Sequence, residues 1–180
     1  DALQEVNKKI EKQNENITAS IYYALTIQQA ILPDVDEINK LFNTFIIYLP
    51  KDIVSGDFYW FTRGGRKRTG ERSFYFAVVD CTGHGVPGGF LSMIGARMLD
   101  AIVNEQKVHH TDEILELMDK RIRKALNQHK TDNEDGMDVC LCKITLQGEK
   151  DNDPGVCCRF SVSTPSLYMV IKAISVEIIK

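Results

Sequence analysis

The stretch that most constrains the fold is VVDCTGHGVPGGFLSMIG, residues 78–95. An apolar run ends in an acid, Asp80. A glycine-rich turn with one histidine follows, and then a helical segment. Just upstream, SGDFYWFT reads as a strand and RSFYFAVVD as another. Between them lies RGGRKRTGER, with five basic residues in ten, which reads as a hairpin loop. It is either a docking loop for a phosphorylated or acidic partner or a solvated surface loop. Antiparallel pairing sets the start of one strand beside the end of the other, so Asp57 and Asp80 are expected at one sheet edge. Two carboxylates brought together repel unless a cation or a proton lies between them. With aspartates and no His/Cys set at ligand spacing, the expected cation is hard, Mg²⁺ or Mn²⁺. Gly83 and Gly85 turn sharply and leave room for its waters. Such a site suits in-line attack of an activated water on a phosphate ester. His84 either contacts the phosphate or relays a proton, or only shapes the turn. The bland alternative for the acids is a capped turn without metal.

The rest of the chain builds a frame around that motif. NTFIIYLP reads as a strand ending at Pro50. PGGFLSMIGARMLDAIVNEQ reads as a helix with Pro87 in its first turn and a stripe of Phe90, Leu91, Ile94, Met98 and Ile102. TDEILELMDKRIRKALNQ reads as a second helix, with Thr111 as N-cap and a stripe of Ile114, Leu117, Met118, Ile122 and Leu126. MDVCLCKITL, VCCRFSVS, LYMVIK and SVEIIK read as strands. Strands on both sides of a helical pair predict an α+β sandwich of mostly antiparallel sheets with helices outside. Residues 1–33 form a separate element with a seven-residue rhythm. Leu3, Ile10, Ile17, Ala24 and Ile31 fall on one heptad position, and Val6, Gln13, Ser20 and Ile27 on the other. This predicts a long N-terminal helix, a coiled-coil linker that pairs with a second copy or lies on its own domain, followed by one domain over 34–180.

Composition narrows the class. The chain has 180 residues, 43% apolar and 26% charged, ordinary for a globular domain. The net charge of -3 points to neither nucleic acid nor an acidic membrane. No apolar run approaches the ~20 residues of a membrane span. The five cysteines contain no CxxC. They read as reduced core residues, with a zinc site across neighbouring strands as the alternative.

Three motifs carry a resemblance. LPKDIVSGDFYWF, FAVVDCTGHGVPGGFLSMIG and DGMDVCLCKI, in this order, resemble the SpoIIE-like branch of the metal-dependent (PPM, type 2C) protein serine/threonine phosphatases. SIYYALTIQQAILP is similar to the helix that joins an upstream sensor to this domain in bacterial signalling proteins. The resemblance implies an α-β-β-α sandwich with a binuclear Mn²⁺ or Mg²⁺ centre. It implies hydrolysis of phosphoserine or phosphothreonine on a regulatory protein of the anti-sigma antagonist type. By motif match Asp80 would be the ligand shared by both ions, the Cys81 carbonyl a further ligand, and Asp57 a ligand directly or through water. Gly83, His84 and Gly85 would form the phosphate-side turn. Asp135 and Asp138 in DGMD stand at a loop-to-strand junction that can come close to the site, but they receive no ligand role. The family's later TDG and final aspartate have no match before Lys180, so the chain is expected to hold the N-terminal part of the domain and half of its metal ligands. The implied setting is cytoplasmic, free or as the cytoplasmic part of a membrane-bound sensor. The implied partners are an upstream sensor and a second copy, with neither nucleic acid nor membrane contact from this segment. The alternative function is a catalytically inactive dimerisation and docking module. Histidine-kinase-type ATP binding leaves SGDFYW without a role, and Ser/His/Asp hydrolysis lacks a G-x-S-x-G.

Overall fold

The computed structural model describes residues 2–66, 70–146, 156–163 and 177–178. In chain order its elements are α1 (Ala2–Ile31), α2 (Val35–Asn39), β1 (Phe42–Asn43), β2 (Phe58–Arg66), β3 (Arg72–Cys81), α3 (Gly85–Asp100), a π-helical turn (Ala101–Glu105), α4 (Thr111–Ala125), β4 (Met137–Leu146), β5 (Val156–Ser163) and β6 (Glu177–Ile178). This is the α+β class with a long N-terminal helix.

Strands β2, β3, β4 and β5 form one antiparallel sheet in that order. Side chains alternate between its faces. One face carries Phe58, Trp60, Tyr75, Ala77, Val79, Met137, Val139 and Leu141, and α3, the π-helical turn and α4 close over it with Leu99, Ile102, Ile114 and Met118. The other face carries Phe74, Cys142, Ile144 and Leu146, covered by Ile38 and Phe42. There Phe42 meets Phe74 and Phe76 edge-on, at 5.0 and 5.2 Å between ring centres. β1 pairs with β6 as a separate two-stranded sheet.

Helix α1 behaves differently. Gln28 alone among its residues is buried. The seam residues Leu3, Val6, Ile10, Ile17 and Ile27 are exposed.

Several expectations shift. The strand expected over 43–50 pairs only at Phe42–Asn43. Beyond it Phe45, Ile47 and Leu49 alternate outward, 79%, 73% and 85% exposed. Alternation shows an extended chain, but a strand also needs a partner's ladder, and none pairs with 44–50 among the described residues. The expected stripe of α3 holds at Leu91 and Ile102, which are buried, and fails at Phe90, which is exposed; the buried line also takes in Gly88, Ser92, Gly95, Ala96 and Leu99. Small residues let the helix sit closer than a large-residue stripe would. A Cβ added at Gly95 would stand 3.0 Å from both Met137 Cε and Phe58 Cζ. Thr111 is the first residue of α4, not its cap. His110 takes the N-cap position without a side-chain cap bond, and Thr111 is fully buried. Gly85–Glu105 is long and apolar enough to cross a membrane by length and composition, unlike the sequence expectation, but 50% of that stretch is buried in the domain core. The expected strand LYMVIK, the basic residues Lys67 and Arg68, and most of SVEIIK lie outside the described residues.

Candidate metal centre

Register decides which side chains meet at the open end of the sheet. Phe58 pairs with Val79, so Asp57 stands one residue before the ladder, opposite Asp80. Asp80 in turn pairs with Asp138 on β4. Period-two alternation puts all three acids on one face, at one end of three neighbouring strands, opposite the face that α3 and α4 cover. Asp57 and Asp80 are exposed. Asp138 is half-buried, and its Oδ1 is shielded from solvent without a hydrogen-bond partner among the described groups. Burial, and then the charge of Asp80, push the Asp138 carboxyl above its ordinary range.

The donor set fits a hard cation. All three groups are carboxylates, and one buried oxygen lacks a donor. Among the described residues, no three His, Cys, Asp or Glu side chains converge tightly enough to cage an ion. The fit is therefore to an ion such as Mg²⁺, which keeps several waters and takes one or two carboxylates.

Backbone packing sets the turn beside these acids. A Cβ on Gly56 would stand 2.7 Å from the Gly83 carbonyl oxygen and 3.3 Å from that of Cys81. One on Gly88 would stand 2.7 Å from the same Gly83 oxygen and 2.9 Å from Gly56 Cα. Gly83 also has φ +80°, a left-handed value that favours glycine. The three glycines thus bring the start of β2, the end of β3 and the first turn of α3 into main-chain contact. Burial first, then Asp80 and Asp57, push the Cys81 thiol up to about 12, so it stays protonated at neutral pH. The oxygen that Cys81 can offer is its carbonyl, which lies beside Gly56.

His84 takes the N-cap position of α3 without a side-chain cap bond. Its Nδ1 lies 2.6 Å from Asp52 Oδ2. An ionised carboxylate only accepts, so this contact places the imidazole proton on Nδ1 and leaves Nε2 as an acceptor when the ring is neutral. Thr82 ties the end of β3 to the DGMD loop. Its N–H donates to the Gly136 carbonyl at 2.9 Å, and its hydroxyl lies 3.0 Å from Asp135 Oδ1 and accepts from the Gly136 N–H at 2.9 Å. Asp135 is thus engaged in holding the loop, while Asp138 faces Asp80.

Sequence reasoning named Asp57, Asp80, Cys81, Gly83, His84 and Gly85, placed Asp138 near the site without a ligand role, and left out Asp52 and Thr82. Asp138 had a readable signal: MDVCLCKITL alternates, and an acid at its start sits at the same end of the sheet as an acid ending an antiparallel neighbour. Asp52 had none, since its contact spans a loop.

The architecture is a PP2C-like α+β fold. Among solved structures it is similar to the SiaA-PP2C domain of Pseudomonas aeruginosa, with TM-score 0.60 and 24% identity, over 84% of this chain and 68% of that one. No protein-family model and no curated protein matches the chain.

Proposed function

We propose that the chain is a metal-dependent phosphoprotein phosphatase domain of the SpoIIE-like kind. The observation that carries this reading is the row Asp57, Asp80 and Asp138 at one end of three neighbouring strands. Asp80, Asp57 and the Cys81 carbonyl would hold Mn²⁺ or Mg²⁺, with Asp138 facing Asp80 as a further carboxylate. When bound, the ion supplies a water of lowered pKa and neutralises phosphoryl charge. The chain's own groups do the rest. The Gly83, His84 and Gly85 turn opens α3, whose first N–H groups suit phosphoryl oxygens. His84, held by Asp52, has Nε2 available to move a proton at the serine or threonine oxygen. The substrate would be a phosphorylated regulatory protein in the cytoplasm, with an upstream sensor acting through α1.

The test is phosphate release from p-nitrophenyl phosphate and from a phosphoserine protein, with Mn²⁺ and with EDTA. The expected result is turnover only with Mn²⁺, falling by more than about a hundredfold in Asp80→Asn. Turnover that persists in EDTA, or that survives Asp80→Asn, would overturn the reading.

A second reading rests on the exposed seam of α1. In it the chain is a dimerisation and docking module without catalysis. Sedimentation would then show metal-independent dimers that Ile17→Asp dissociates, alongside no turnover under any metal.

A further inference from the structure

Gln28 is the one buried residue of the 30-residue helix α1, at 4% exposure. A buried carboxamide is stabilising only if its donors and acceptor are used. Here they are. Oε1 accepts from the Ser55 N–H at 3.0 Å, and Nε2 donates to the Ser55 carbonyl at 2.6 Å. Nε2 also donates to Ser92 Oγ at 2.8 Å, and the Ser92 hydroxyl donates onward to the Gly89 carbonyl at 2.9 Å. The side chain thus pairs with both main-chain groups of one residue, as a neighbouring strand would. Ser55 is itself buried, and its Oγ accepts from the Asp57 N–H at 3.0 Å. The order of contacts is Gln28 to Ser55 to Asp57, with Ser92 tying the same amide to α3.

We propose that Gln28 is a positioning residue: its amide fixes the 55–57 turn and thereby the place of Asp57 opposite Asp80. The value of that fixed place to metal binding rests on the phosphatase reading; the positioning itself does not. Among the described residues no strand pairs with Ser55 in a ladder, so without the amide Ser55 loses the partners of its N–H and its carbonyl, and the turn keeps the Tyr48 hydroxyl bond to the Asp57 carbonyl at 3.1 Å. Gln28 lies next to the seam residue Ile27 and one turn from Ile31, so the last turn of α1 and the turn that presents Asp57 move as one unit.

Amide hydrogen exchange of the metal-free chain tests this, comparing wild type with Gln28→Met, which keeps the length and removes the amide. The expected result is a loss of protection of about tenfold at Ser55 and Asp57, the scale of one net hydrogen bond. Ala77 and Leu141, in the sheet ladder, should stay unchanged and report an intact fold. Protection at Ser55 and Asp57 within about twofold of wild type, in a folded variant, overturns the proposal. Should Gln28→Met fail to fold, Ser92→Ala removes one partner of Nε2 and leaves α1 untouched. It should lower Ser55 protection by about threefold, and no change there overturns the proposal equally. A Mn²⁺ titration followed by Trp60 fluorescence separates the two readings. A wild type that binds no Mn²⁺ but shows the exchange pattern overturns the metal reading and upholds the positioning. A wild type that binds Mn²⁺, with Gln28→Met unchanged in half-saturation and in exchange, does the reverse.

Discussion

The two faces of the four-stranded sheet are built from the same strands and end up in opposite states. Under α3 and α4, Trp60, Ala77, Val79, Leu141 and Leu99 are all 4% exposed or less. On the other face, Phe74 and Ile144 are covered at one end by Phe42 and Ile38, but toward the other end Val78 is 45% exposed and Asp57 and Asp80 are open. The closed face supplies the apolar burial that holds the sheet in register. The acid end contributes none of that burial, and its like charges oppose folding. Rigidity made on one face is used to hold carboxylates on the other.

Substitutions on each face can break or sharpen this contrast. The largest effect belongs to the closed face: Leu141→Ala should cost about 2–5 kcal/mol in urea unfolding, because a fully buried leucine leaves a cavity. A cost near zero would mean that the helices do not seal that face. A smaller effect of opposite sign belongs to the acid end. The Asp138 carboxyl sits above its ordinary range because of burial and Asp80, so the folded state binds its proton more tightly than the unfolded chain does. That favourable difference is fully present at acid pH and is lost as pH rises through the folded value. Asp138→Asn should therefore raise the melting temperature of the metal-free chain at neutral pH and change little at acid pH. A lower melting temperature at neutral pH would contradict this. The smallest effect is expected at Val78→Thr, within about 0.5 kcal/mol of wild type, as for an exposed site. A larger loss would show that something covers the open face in solution.

Much of the sheet was legible because its signals are local. The short link between β2 and β3 dictates an antiparallel pair, and this alone sets Asp57 opposite Asp80. Strand β4 was legible from alternation. What escaped the sequence depends on distant partners. Phe45, Ile47 and Leu49 announce an extended chain, but only a ladder makes a strand, and the partner of Phe42 is Ile178. In α3 the large apolar residues suggested the buried stripe and Leu91 keeps to it, but Phe90 is exposed, and close packing against Phe58 and Met137 adds Gly95 to the buried face. Gln28 lies beside the heptad seam and carries no local sign of burial. Its contacts are 27 and 64 residues away in sequence, and neither spacing leaves a local mark.

The triple contact of Gly56, Gly83 and Gly88 also bears on how such a chain can change over time. Every amino-acid replacement reachable by one base change from a glycine codon carries a Cβ. At Gly56 and Gly88 that atom would land 2.7 Å from a carbonyl oxygen of the main chain, which cannot rotate away as a side chain could. Mutational drift can therefore retune the exposed side of α1 and the hairpin loop one step at a time. The crossing of three backbones beneath the acids has no neutral neighbours in sequence space and should be the slowest part of the chain to diverge.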